Sequence, residues 1–254
     1  HVETEVNNTA MDHRLRVLFP TGISAVEYWL DHPFDVLRRP ICTDRSTLCG
    51  KEADPVERPH HSFVALEAEN RGFALLCPEG LHEHEVGTDP AGALALTLFR
   101  SFGDTPRTNG EPGAQVQGRM SFRYALHPFA GPLKPGSLLR RIAAIRTGVQ
   151  IHMSDEGENA CSFLSVEGVD SVVVSAIKPG PAEHTMVVRL WNSGSEAARA
   201  HLRIGVDTAR VWRCSFEEEF GDELPVHGGT VDLDLRVREI VTVCVATRDL
   251  KGTP

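Results

Sequence analysis

The chain has 254 residues, of which 41% are hydrophobic, enough for one large or two ordinary domains with a sizeable core. Its 26 Lys and Arg against 35 Asp and Glu give a net charge of −9, spread along the chain with no basic face, which argues against nucleic acid as a partner. No run of about 18 apolar residues is present, so no membrane-spanning helix is expected and the membrane is not a partner.

The opening "HVETEV" is neither a Met start nor a signal peptide, and the sequence reads as a piece of a longer product. The sequon Asn7-Asn8-Thr9 stands alone, without other signs of secretion. Six cysteines, Cys42, Cys49, Cys77, Cys161, Cys214 and Cys244, are scattered without metal-ligand spacing. They read as free thiols in a reducing cytoplasm, with a Cys42 to Cys49 loop disulfide as the alternative.

Period-two alternation dominates and defines an all-β protein. "HRLRVLF", "SFVALEA", "GFALLC", "ALALTLF", "MSFRYAL", "SVVVSAI" and "TMVVRLW" read as strands. In "TVDLDLRVREIV", Val231, Leu233, Leu235 and Val237 alternate with Asp232, Asp234, Arg236 and Arg238, one face for a core and one for water. Glu69-Asn70-Arg71-Gly72 separates two strands and predicts a hairpin, with Asn and Gly supplying the turn. "PGSLLRRIAAIRTG" breaks the rhythm: Ser137 serves as N-cap, Leu138, Ile142 and Ile145 recur at helical spacing, and Gly148 stops the helix. The predicted organisation is a larger β region over 1–130, a connector helix and loop over 131–160, and a β-sandwich over 161–254.

Candidate chemistry is sparse. His82 and His84 in "LHEHEV" fall on one strand face and could hold a metal with a third ligand, but none is identifiable, and a solvent-facing pair is favoured. His60 and His61 sit where a loop becomes a strand, where loop polarity accounts for them as well as a contact role does. Carboxylates in "SDEGEN" and "FEEEFGDE" read as solvated loop charge, and no GxSxG, HExxH, P-loop or dinucleotide fingerprint occurs. Arg100 ends the apolar row Leu94, Leu96, Leu98, so it must snorkel, pair with a carboxylate, or reach a ligand at the sheet's end.

The ordered blocks "NNTAMDHRLRVLFPTG", "PFDVLRRPI", "HSFVALEAENRGFALLCPEGLHEHEV", "LALTLFRSFG", "PGAQVQGRMSFRYALHP", "SVVVSAIKPG" and "MVVRLWNSG" resemble the C-terminal β region of glycoside hydrolase family 38. Within that family the resemblance is to the bacterial α-mannosidase and mannosylglycerate hydrolase branch. It implies a β-supersandwich followed by a smaller β-sandwich, and a zinc-dependent retaining α-mannoside hydrolase as the parent protein. The nucleophile, the acid and the zinc ligands would lie in an upstream catalytic domain, the chain's principal partner, leaving no catalytic residue and no cofactor here. That domain would cover an apolar face of the larger region.

The resemblance also implies an arginine lent from the β region to the α-mannoside substrate site. Arg100 is the candidate, with Arg107 on the following loop as the alternative. "DHPF" and "TDRSTLCG" depart from the relatives, which usually carry an aromatic-containing loop there. A free-standing carbohydrate-binding or adhesive β-sandwich is the competing reading, although Trp29, Tyr124 and Trp191 sit in strand-like apolar contexts. A pure scaffold with a structural Arg100 is the third. The oligomeric state is left open, a homo-oligomer included.

Overall fold

A computed structural model describes residues 1–41, 57–87, 92–103, 114–149, 151 and 162–247. Cys42, Cys49, Cys161, Arg107 and the "SDEGEN" carboxylates lie outside the described residues. The chain divides into two compact units, His1–Leu133 with Arg141–Thr147, and Lys134–Arg140 with Gly148–Pro254. Strands make up more than half of the described residues, with a single helix among them, and the fold is all-β.

The first unit holds β1 (Val2–Asn8), β2 (His13–Pro20), β3 (Glu27–His32), β4 (Asp35–Pro40), β5 (Arg58–Pro59), β6 (Phe63–Ala68), β7 (Arg71–Leu76), β8 (Glu83–Gly87), β9 (Ala93–Ser101) and β10 (Gly118–Ala130). They form two antiparallel sheets, β1-β10-β7-β6-β3-β4 and β2-β9-β8-β5. Alternation sends Leu30, Val64, Leu66, Leu75, Leu94 and Leu96 into one core cluster, joined by Leu15, Val17 and Phe19 from β2. Removing such surface from water, at about 25 cal/mol per Å², drives the packing.

The β6–β7 hairpin forms, but its turn is only Glu69-Asn70, with φ of 52° and 65°, and Ala68 already pairs with Arg71. Gly72, expected in the turn, is a strand residue opposite Phe129. A Cβ at Gly72 would lie 2.0 Å from the Phe129 ring, so glycine is there to seat the aromatic.

Helix α1 (Pro135–Thr147) starts three residues earlier than Ser137 as N-cap implies. Pro135 occupies the first helical position, where its missing N–H costs nothing, and Leu138 N–H donates to Lys134 O at 3.2 Å. Leu138 and Ile142 are buried, and Gly148 ends the helix at φ 67°.

The second unit contains β11 (Leu164–Glu167), β12 (Val172–Pro179), β13 (Thr185–Asn192), β14 (Ala198–Ile204), β15 (Thr208–Cys214), β16 (Phe220–Leu224), β17 (Thr230–Leu235) and β18 (Ile240–Thr247). Its sheets, β11-β14-β17 and β12-β13-β18-β15-β16, enclose Val188, Leu190, Leu202, Val231, Leu233, Val243 and Val245. The β17 alternation stops at Leu235, before the expected Val237, which is half exposed. A turn intervenes, with Arg238 at φ 58° and Glu239 accepting from Arg236 N–H at 2.6 Å.

Candidate functional site

The outer face of the four-stranded sheet in the first unit is a network of charge. β2 contributes Arg14 and Arg16, the polar partners in its Leu15, Val17, Phe19 alternation, and β8 contributes Glu83 and Glu85. Arg16 pairs with Glu85, and Arg14 with Glu57 just ahead of β5. Arg100 binds Glu83 in parallel fashion, Nε to Oε2 and Nη2 to Oε1, both at 2.8 Å, while Thr97 Oγ1 donates to Glu83 Oε1 at 2.6 Å. Glu57 lies 4.0 Å from Arg100.

Arg100 therefore takes the second of its three options, pairing with a carboxylate. It does not share the leucine face as the bare alternation implied. β9 is bulged, since Arg16 faces Thr97 while the adjacent Leu15 faces Phe99, so Leu98 is the extra residue. After the bulge Phe99 takes the core side and Arg100 the side of Thr97.

Electrostatics follow the geometry. The Arg14 guanidinium is the main cause that holds the Glu57 carboxyl below its ordinary range. Burial would raise Glu83, but hydrogen bonds from Arg100 and Thr97 and the charges of Arg100 and Arg14 outweigh it and lower it. Glu57, Glu83, Thr97, His82, Leu81 and Leu98 line an adjoining cleft of about 360 Å³. Its lining mixes charged and polar side chains with Leu81 and Leu98, a composition suited to a sugar-sized molecule.

Around the histidines the sequence reading needs correction. His82 is exposed, but His84 is fully buried and the pair does not face solvent together. His84 Nδ1 lies 3.2 Å from Nδ1 of His60, itself only 3% exposed, and the Tyr28 ring packs edge-on at 5.3 Å. Burial pushes His60 down to about 4 and His84 down to about 2. His61 is the outward member of its pair, 3.6 Å from buried Asp31, whose side-chain hydrogen bonding and then charge raise it. Asp31 also accepts from the N–H groups of Ser62 and Phe63, both at 2.7 Å. Polarity alone missed this carboxylate, because "WLDHPF" gives no sign that Asp31 faces inward.

Among the described residues no group of three or more His, Cys, Asp or Glu is placed to hold a metal ion. Of the "FEEEFGDE" carboxylates, Glu218 pairs with Lys178 and Arg189 and Glu223 with Arg210, while Glu217 and Glu219 are exposed loop charge as expected and Asp222 is exposed on β16. Trp29 donates Nε1–H to Glu67 at 3.0 Å, and Tyr124 and Trp191 are buried.

Comparison with known proteins gives the surrounding frame. Residues 1–105 match the glycosyl hydrolases family 38 C-terminal domain, and residues 171–243 match the family 38 C-terminal beta sandwich domain. This chain belongs to the C-terminal β region of glycosyl hydrolase family 38.

A putative mannosylglycerate hydrolase of Halalkalibacterium halodurans is 26% identical over 251 residues, covering 95% of this chain and 26% of that protein. The crystal structure of an α-mannosidase from Enterococcus faecalis superposes with TM-score 0.76 at 26% identity, over 95% of this chain and 27% of that one. A second family 38 protein structure from Enterococcus faecalis gives TM-score 0.73 at 25% identity. The chain thus spans about a quarter of the length of these family 38 relatives. The Arg100–Glu83 cluster lies wholly within the family 38 match over residues 1–105.

Proposed function

We propose that this chain is the C-terminal, non-catalytic region of a longer zinc-dependent, retaining hydrolase of α-mannosides, an α-mannosidase or mannosylglycerate hydrolase. The observation that carries the reading is the superposition of nearly the whole chain on about a quarter of an α-mannosidase. The chain's work is then to support an upstream catalytic domain, and the soluble cytoplasm is the compartment we assign. Among the described residues Cys77, Cys214 and Cys244 are free thiols, as a reducing compartment favours, and no helix is long and apolar enough to cross a membrane.

The described side chains do not fit a zinc site, so the metal and the two carboxyl groups of a retaining glycosidase are assigned to the remainder of the parent. No chemical step is assigned to this chain's residues. Arg100 is the residue we propose to lend a rim contact. Glu83 fixes its Nε and Nη2 edge, and the side chain stays 44% exposed, so a held guanidinium can meet sugar hydroxyls with little further ordering.

The test is the full-length parent protein assayed on α-mannosides with the anomeric product followed by proton NMR. Retention of configuration, loss of turnover on chelation and recovery with zinc are the expected results. Inversion, or turnover indifferent to chelation, would refute the mechanism assigned to the parent.

A further inference from the structure

Arg100 and Glu83 are half of a closed charge quartet. Arg14 Nη1 pairs with Glu57 Oε1, and Glu57 Oε1 lies 4.0 Å from Arg100 Nη2. Arg100 Nη2 bonds Glu83 Oε1 at 2.8 Å, and Glu83 Oε1 returns to Arg14 Nη1 at 3.9 Å. Sign alternates around this ring, two guanidiniums against two carboxylates, and the neighbouring Arg16–Glu85 pair is balanced as well. Both carboxylates of the quartet are held below their ordinary range, so the balance persists at neutral pH. Arg58 also lines the cleft beside the quartet, but it pairs in register with buried His84, and alternation turns its side chain away from the Glu83 face.

An anion only accepts hydrogen bonds, and whichever guanidinium of the quartet it approaches, a carboxylate stands beside it. A cation meets the converse. A hydroxyl both donates and accepts, so it can give its hydrogen to a carboxylate oxygen and take one from the N–H group next to it. Arg100 keeps donors for this: Nε and Nη2 bond Glu83, and Nη1 makes no bond among the described residues. The adjoining cleft adds Leu81 and Leu98 for the C–H face that a sugar ring presents.

We propose that the quartet selects α-mannosides whose group at this rim is neutral and rich in hydroxyls, and rejects those that carry a carboxylate or phosphate there, a selection that rests on the reading of Arg100 as a rim contact. Discrimination of this kind uses a repulsive element beside the attractive one. Glu57 is that element, since it stands next to the open Nη1–Nη2 edge of Arg100 without bonding it. The substrate class so selected is a neutral mannoside, in contrast to the mannosylglycerate named for one relative.

The experiment compares kcat/KM of the full-length parent for mannosylglycerate and for its carboxamide, nearly equal in size and different in charge, at constant ionic strength. The carboxamide should be preferred at least about fivefold, roughly the effect of one like charge near 4 Å in water. Glu57→Gln removes the repelling charge and leaves the Arg100–Glu83 bonds in place, so it should raise kcat/KM for mannosylglycerate and narrow the gap. Arg14→Gln leaves the quartet net negative and should widen it, and opposite shifts from two variants separate charge from a loss of folding. Equal rates, a preference for mannosylglycerate, or a gap that neither variant moves overturns the proposal. Turnover lowered in Arg100→Ala with no gap between the substrates leaves the rim reading standing and overturns the selection alone. Turnover of both substrates unchanged in Arg100→Ala, or absent altogether, removes that reading and the selection with it.

Discussion

Arg100 and Glu83 are locked edge to edge, with two 2.8 Å hydrogen bonds joining neighbouring strands β9 and β8 on the outer sheet face. The pair is partly exposed, so its contribution to stability is modest, about 0.5–1 kcal/mol despite the parallel geometry. In the full-length parent, Arg100→Ala should lower turnover of α-mannosides at least about tenfold with a melting shift of only a few degrees. Arg100→Lys keeps the charge, loses the two-pronged grip on Glu83, and should recover little activity. Turnover unchanged in Arg100→Ala, measured beside thermal melting, would make this arginine structural only.

Asp31 has a different weight, because its carboxylate is 1% exposed and ties the start of β6 to β3. Asp31→Ala strands two buried N–H groups and should cost about 3 kcal/mol in urea unfolding. Asp31→Asn keeps an acceptor for them and should cost less, while His61, no longer facing a charge, loses its upward shift. Histidine titration by NMR checks the second point independently of stability.

Acid should destabilise the first unit before its carboxylates titrate. His60 is held to about 4 when folded against about 6.5 unfolded, so the unfolded chain binds the proton first and stability falls as pH drops from 6.5 to 4. The loss from His60 alone is on the order of 3 kcal/mol by pH 4. His61 acts oppositely, because its raised value adds stability below its folded pKa and loses it as pH rises through that value. Chemical unfolding in chloride buffers at pH 7, 5.5 and 4 should show the decline, and replacing His60 with Asn should lessen it, with buried His84 supplying the remainder.

Much of this was legible in the sequence, and the exceptions have physical causes. Strict alternation marked β2 and β17 because one face meets the core and the other meets charge. The same rule failed at Leu98, where an extra residue in β9 moves Arg100 to the opposite face, a shift that depends on β2 and leaves no local mark. In "HEHEV" every early residue is polar, so the pattern could not say which set was inside. The burial of His84 is decided by its distant neighbours Tyr28 and Leu96. Gly72 read as a turn residue because glycine signals turns and close approach alike, and the approaching ring, Phe129, lies far along the chain.

Gly136 tests the start of the helix. A Cβ there would lie 1.9 Å from the Asp170 carbonyl oxygen, while Arg140 from the next turn bonds that same carbonyl at 2.9 Å. Alanine normally favours a helix over glycine by about 1 kcal/mol. Here Gly136→Ala should instead destabilise by about 1–3 kcal/mol, from backbone forced apart. A rise in melting temperature would contradict the close packing of the helix start on the β11–β12 connection.

The assignment of this chain as one region of a larger family 38 hydrolase is tested most directly by the intact mass of the native gene product in its source cells. The prediction is a polypeptide about four times 27.8 kDa, with this sequence at its C-terminal end, in keeping with the share of its relatives that it covers. A native product of 27.8 kDa would contradict it and leave a free-standing β protein.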